Sequence, residues 1–224
     1  MKIEVSAKAL TQRLLRAIGI AVLGAASAAA APATFKDCEN CPVMTNVPGR
    51  PIAAAQREVT VAEFDAFLRS TQYHIGVNCR TFEEARWEER APRDFRSPGF
   101  AQSANDPAVC LTWYDARAYV AWLNSGGARS GGYRLPTRAE WQALNAAAGG
   151  LKLEGLETGA AEWLGDCARI STHPAGVCVL RERAGRHWAS GKGLGAPLPT
   201  AAPTVRDAAT GVRVVKDLPA EKRQ

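Results

Sequence analysis

Six cysteines, Cys38, Cys41, Cys79, Cys110, Cys167 and Cys178, all lie downstream of an alanine-rich N-terminal segment, and this placement constrains the chain more than any other feature. The first residues carry Lys2, Lys8, Arg13 and Arg16, followed by an apolar stretch from Ala17 to Leu23 and then Gly24-Ala25-Ala26-Ser27-Ala28-Ala29-Ala30-Ala31-Pro32. A basic start, a short apolar run and small residues at its exit are the layout of a secretion signal, with cleavage expected between about Ala28 and Ala33. The run is too short to span a bilayer; the alternative is an uncleaved amphipathic anchor, because Leu10 to Ile20 carries charge on one side. An even set of cysteines in an exported chain points to disulfides, so a periplasmic or secreted protein is expected. Local order favours pairing Cys38 with Cys41, Cys79 with Cys110 and Cys167 with Cys178. Closing the loop from Cys79 to Cys110 would contribute about 3 to 4 kcal/mol in the chain-entropy model.

The expected organisation is a signal over residues 1–31, one domain over 32–218 and a tail over 219–224. The formal charge is +6, but residues 1–31 hold four basic residues and one acidic residue, which leaves +3 for the remainder. Arginine and glutamate alternate irregularly through Arg80 to Arg96, a solvated surface and not the one-sided basic stripe of a nucleic-acid binder. No later segment is apolar enough to cross a membrane.

Helix starts are written clearly. Thr60-Val61-Ala62-Glu63, Thr112-Trp113-Tyr114-Asp115 and Thr137-Arg138-Ala139-Glu140 each have capping-box spacing, a threonine whose hydroxyl accepts from the third helical amide and an acid that reaches back. Apolar residues follow at helical spacing: Val61, Phe64, Phe67 and Leu68; Trp113, Ala116, Val120 and Leu123; Trp141, Leu144 and Ala148. Pro42 to Ile52 predicts a strand followed by a turn at Pro48-Gly49. Arg80 to Asp106 has no sustained period and predicts a long surface excursion, closed by a disulfide. Beyond Gly149 the chain predicts irregular structure, with short strands at Cys178-Val179-Leu180 and Val212-Arg213-Val214-Val215 and a flexible loop over Gly191 to Thr204.

A family resemblance rests on these segments in order: Asp37-Cys38-Glu39-Asn40-Cys41-Pro42-Val43-Met44, Val59-Thr60-Val61-Ala62-Glu63-Phe64, Asp106-Pro107-Ala108-Val109-Cys110-Leu111-Thr112-Trp113-Tyr114-Asp115-Ala116, Tyr133-Arg134-Leu135-Pro136-Thr137-Arg138-Ala139-Glu140-Trp141, Glu162-Trp163 and Gly211-Val212-Arg213-Val214-Val215-Lys216-Asp217-Leu218. The chain resembles the formylglycine-generating enzymes, or sulfatase-modifying factors. The resemblance implies an α+β, C-type-lectin-like fold with a small β-core, flanking helices and much irregular loop. Enzymes of that family use copper(I) on two thiolates to activate oxygen and convert a sulfatase cysteine into formylglycine. Other relatives act in sulfoxide synthesis or siderophore maturation, or serve as binding modules, so fold does not fix function.

Three departures bear on activity. Where the family places its thiolates, this chain reads Ala184-Gly185-Arg186-His187-Trp188-Ala189-Ser190, and no cysteine follows Cys178. The segment that usually reads Gly-Asn-Val-x-Glu-Trp, near calcium ligands, is Thr158-Gly159-Ala160-Ala161-Glu162-Trp163 and lacks the oxygen-donating asparagine. The link from Trp141 to Glu162 is short for the family. Neither copper nor calcium is therefore expected, and no other cofactor.

Cleft candidates are Glu162, Trp163, Asp166, His187 and Trp188. Glu162 and Asp166, on what reads as a short helical turn, could bind a cation or exchange protons; the resemblance implies instead that Glu162 is a buried anchor accepting backbone donors near Trp163. Cys38-x-x-Cys41 could be a redox dithiol or half a zinc site, but its proline-rich surroundings favour a structural disulfide. His74, His173 and His187 show no metal-ligand spacing. Arg134 suits a structural fork between loops, and Trp113, Trp122 and Trp141 suit core positions. The expectation is a pseudoenzyme, a binding or accessory module whose partner is a periplasmic protein, a peptide or a glycan. The alternatives are a periplasmic protein-maturation oxidoreductase acting on protein cysteine, and a lectin-like ligand binder.

Overall fold

Each of the three threonines caps a helix. Thr60 Oγ1 accepts from Glu63 N at 3.2 Å while Glu63 Oε2 accepts from Thr60 N at 2.9 Å, and the same reciprocal pair forms between Thr112 and Asp115 and between Thr137 and Glu140. The computed structural model describes residues 33–83, 86–127, 131–188 and 194–219, and the side chains of 127, 187, 188 and 194–196 lie outside that description. The expected secretion signal and all of the tail but its first residue also lie outside the described residues.

The elements in chain order are β1 (Thr34–Phe35), β2 (Met44–Asn46), β3 (Ile52–Ala55), α1 (Val61–Thr71), β4 (Cys79–Glu83), β5 (Arg86–Arg90), α2 (Trp113–Trp122), β6 (Tyr133–Arg134) and α3 (Arg138–Leu151). They continue as β7 (Ala161–Thr172), β8 (Ala175–Ala184), β9 (Arg186–Trp188), β10 (Leu194–Pro197), β11 (Thr200–Ala201), β12 (Thr210–Gly211) and β13 (Val215–Asp217). One sheet has the order β1-β2-β3-β13-β6 and is antiparallel throughout. A second has the order β11-β8-β7-β12, in which β12 pairs with β7 in parallel. The C-terminal segment serves both sheets, because β12 and β13 lie on either side of the buried run Val212-Arg213-Val214.

Packing follows the caps. Phe64 and Phe67 of α1 meet Tyr119 of α2, and Phe64 also meets Phe95 at 5.0 Å between ring centroids, edge to face. Trp141 and Leu144 of α3 pack with Leu164 of β7 and Val215 of β13. Such aromatic contacts add about 0.5–1.5 kcal/mol each beyond area burial. A third cluster collects Val109, Ala160 and Ala208 around the disulfide of Cys79 and Cys110.

The disulfides are Cys38–Cys41, Cys79–Cys110 and Cys167–Cys178, with Cα separations of 5.0, 5.5 and 5.8 Å, the pairing that local order favours. Strand content departs from the sequence expectation in four places. The expected strand Val212-Arg213-Val214-Val215 is a strand only from Val215, the start of β13. Within Arg80 to Asp106 lies the β4–β5 ribbon; beyond Gly149 lie the 12-residue β7 and 10-residue β8; β10 and β11 fall within the stretch expected to be a loop. The reason is burial. β5 and the outer half of the β7–β8 hairpin have exposed or half-exposed faces, and β7–β8 carries repeated register shifts, so no apolar alternation marks them.

Candidate functional site

Glu162 and Trp163 do not line a cleft. Both are fully buried on β7, whose first four residues are all inside the protein, with β8 and β12 on either side of them and α3 packed nearby. This part of the chain is strand, not a helical turn. Trp163 Nε1 donates to Leu111 O at 2.8 Å. Glu162 takes side-chain donors where the sequence suggested backbone ones: Oε2 accepts from Trp141 Nε1 at 2.7 Å and Oε1 from Arg213 Nε at 2.9 Å.

Arg213 anchors a closed electrostatic cluster. Its Nη1 donates to Ala55 O at 2.8 Å, Nη2 donates to Glu154 O, and Glu58 Oε2 lies 3.9 Å away. Glu58 Oε1 accepts from Ala160 N at 2.7 Å. Burial, aided by the Glu162 charge, pushes the Glu58 carboxyl up to about 8 against the pull of Arg213. Burial raises Glu162 too, opposed by Arg213 and by the bonds from Arg213 and Trp141. One guanidinium thus serves two carboxylates, and Glu58 keeps a proton at neutral pH. The chain comes close at two glycines: a Cβ on Gly159 would sit 2.4 Å from Glu58 Oε1, and one on Gly155, at φ +82°, 2.1 Å from Oε2. The cluster is enclosed and structural.

Asp166, farther along β7, does reach a cleft. A groove with a cavity volume of about 570 Å³ runs between α2, β6 and β7, lined by Trp113, Arg117, Tyr133, Leu135, Thr137 and Asp166 among others. Asp166 Oδ2 accepts from Arg138 N at 2.6 Å, so it also helps satisfy the start of α3. Trp113 is fixed by Nε1 donating to Leu164 O at 2.9 Å, and Tyr133 by its hydroxyl donating to Asp37 Oδ2 at 2.7 Å. Arg134 forks onto Glu140 at 2.7 Å and Asp217 at 2.8 Å; its bonds to Glu140 are the largest cause holding that carboxyl down at about 2. Arg134 thereby ties β6, α3 and β13 together. The groove is built on rigid elements, a property of sites that bind rather than merely adapt.

His187 and Trp188 lie on β9, with side chains outside the described residues. His74 and His173 are exposed, and no group of three metal-ligating residues occurs among the described residues. Sequence reasoning missed Glu58, Arg213 and Arg117. A lone arginine inside Gly211-Val212-Arg213-Val214-Val215 is a signal for a buried ion pair; nothing local marks Arg117.

A family model for the sulfatase-modifying factor enzyme 1-like domain matches residues 18–160. The chain belongs to this family. Its fold, α+β and C-type-lectin-like, is that of PvdO from Pseudomonas aeruginosa, at 21% identity and a TM-score of 0.58 over 84% of this chain and 99% of that one. The serine/threonine-protein kinase Pkn1 of Chlamydia trachomatis serovar L2 is 31% identical over 109 residues, 46% of this chain and 16% of the kinase. The corresponding kinase of Chlamydia pneumoniae is 38% identical over 68 residues, 30% of this chain and 9% of the kinase. This chain therefore matches only a small part of either kinase's length.

All six cysteines are in disulfides, so the chain as folded offers copper(I) no thiolate pair. Beside Thr158 to Ala161, the carboxylates of Glu58 and Glu162 are enclosed and face Arg213, which does not fit an oxygen cage for calcium.

Proposed function

We propose that this chain is an exported sulfatase-modifying factor family protein that works as a binding or accessory module and not as a copper-dependent oxidase. The observation that carries this is the commitment of all six cysteines to disulfides, which removes the thiolate pair on which the family's enzymes hold copper(I). Glu162 and Trp163, inside the protein, offer no reacting group to a substrate. The groove over Trp113, bounded by Asp166 and Arg117, is the surface suited to a partner. Three disulfides also favour an oxidising compartment, and a partner there would be a protein, a peptide or a glycan.

The test is metal content with oxygen uptake. Protein purified from an exporting host, loaded with copper(I) and passed through a weak chelator, is expected to retain none and to consume no oxygen with cysteine peptides. One retained copper per chain together with oxygen consumption overturns the proposal. Mass measurement of the same sample checks export, with a new N-terminus between about residues 28 and 33 expected.

A further inference from the structure

Trp113 carries two guanidinium groups. Arg181 lies 3.7 Å from the ring centroid and Arg117 5.1 Å, the first from β8 and the second one turn along α2. Arg181 is steadied by Nη1 donating to Gly165 O at 3.1 Å, on the groove's own lining, and its Nε is buried without a partner. Among the described residues neither arginine has an ion-pair partner. The acids of the same elements are committed elsewhere: Asp115 to Arg206, Glu162 to Arg213, Glu182 to Arg138, and Asp166 to the Arg138 amide. Burial lowers the affinity of Arg181 for its proton, and the charge of Arg117 lowers it further. Stacking on an indole holds a guanidinium in place but neutralises nothing, so two like charges stand together uncompensated. Beside them Tyr114 is 52% exposed, its ring 5.6 Å from that of Trp113.

We propose that Arg117 and Arg181 form an oxyanion-binding site at the edge of the groove, taking the carboxylate, sulfate or phosphate group of a ligand whose remaining part lies in the groove. A planar fork matches two oxygens at once, and an anion between the arginines removes their repulsion. Asp166, also on the groove wall, favours a hydrogen-bond donor on the part of the ligand that lies against it. Tyr114 offers an exposed aromatic face next to the bound group. This deepens the binding-module reading by naming a ligand class, yet its test is separate, since it reads guanidinium groups where the copper experiment reads sulfurs.

The experiment is an NMR titration of the arginine Nε–H signals of the full folded domain with acetate, inorganic sulfate and inorganic phosphate, at constant ionic strength set with chloride. A saturable shift of the Arg181 Nε–H signal is expected with at least one, and the anion that saturates at the lowest concentration identifies the source as carboxylate, sulfate ester or phosphate. Arg117→Ala, an exposed position whose backbone spectrum reports retained folding, is expected to weaken binding about tenfold or more, the loss expected for one hydrogen bond to a charged group. Arg181→Lys, which keeps charge but loses the fork and with it the reporting signal, should weaken binding as well, followed through the Arg117 Nε–H signal. Absence of a saturable shift with all three anions, or unchanged affinity in both variants, overturns the proposal.

Discussion

Arg213 is the side chain on which the inner face of β7 depends. Replacing it with methionine keeps apolar volume but strands the Glu162 carboxylate without a counter-charge and leaves the carbonyls of Ala55 and Glu154 without its bonds. Breaking a buried ion pair from one side costs about 3–5 kcal/mol, and Arg213→Met should lower the denaturation free energy by that amount in urea titrations. Glu58 makes a separate prediction. Its folded carboxyl is pushed up to about 8 and its unfolded one titrates near the ordinary 4.5, so between those values the native state holds a proton that the unfolded chain has released. Stability from this group is complete below about 4.5 and declines as pH rises through 8, by at most about 1.4 kcal/mol per pH unit. Glu58→Gln retains an acceptor for Ala160 N and abolishes that decline, which thermal melts from pH 5 to 9 would register. Of this, only Arg213 carries a local signal, a lone charge among apolar neighbours; Glu58 sits in a polar-looking Gln56-Arg57-Glu58 stretch and meets its partners only after β3, β7 and the C-terminal run converge.

At the level of elements, helices were legible; of the strands, those within Pro42 to Ile52 and at Cys178-Val179-Leu180 were, and the β4–β5 ribbon and the length of the β7–β8 hairpin were not. A cap is a four-residue device, so Thr60, Thr112 and Thr137 announce α1, α2 and α3 without reference to anything distant. Their costs should differ. Thr60→Ala removes a cap worth about 1 kcal/mol. Thr112→Ala should approach about 2 kcal/mol, the upper end for caps, because the Thr112 hydroxyl also donates to Asp115 Oδ2 at 2.7 Å and that carboxylate holds Arg206 and Tyr73; paired urea titrations would compare them. The β7–β8 hairpin hid itself by leaving its far half in solvent, where Ile170 is 60% and Val177 48% exposed. Pairing and the Cys167–Cys178 bridge hold that half, with little core beneath it. The double variant Cys167→Ser/Cys178→Ser should accelerate hydrogen exchange between Ile170 and Val177 while the helices keep their protection.

For the whole molecule, the family pattern conveyed architecture because its motifs lie at the junctions of the fold: the capped helices, the Arg134 fork, and the segment joining both sheets. The groove escaped notice because α2, β6 and β7 contribute to it from positions far apart in the chain, and Arg117 looks like any solvated helix arginine. The same distribution of contacts ranks the disulfides. Cys79 and Cys110 are fully buried in the third cluster and close a separation of 31 residues, whereas Cys38, Cys167 and Cys178 are half-buried. A half-buried bridge can be attacked in the native state; a buried one waits for unfolding. Under a graded reductant, mass tagging should therefore find Cys167 with Cys178 and Cys38 with Cys41 free while circular dichroism stays native, and Cys79 with Cys110 free only as the signal is lost. Cys79→Ser/Cys110→Ser should cost about 3–4 kcal/mol, a large share of what a domain this size possesses. Tagging of Cys79 and Cys110 in a still-native spectrum would show that the excursion from Arg80 to Asp106 opens independently, and would place the weakest point of the fold there and not at the exposed hairpin.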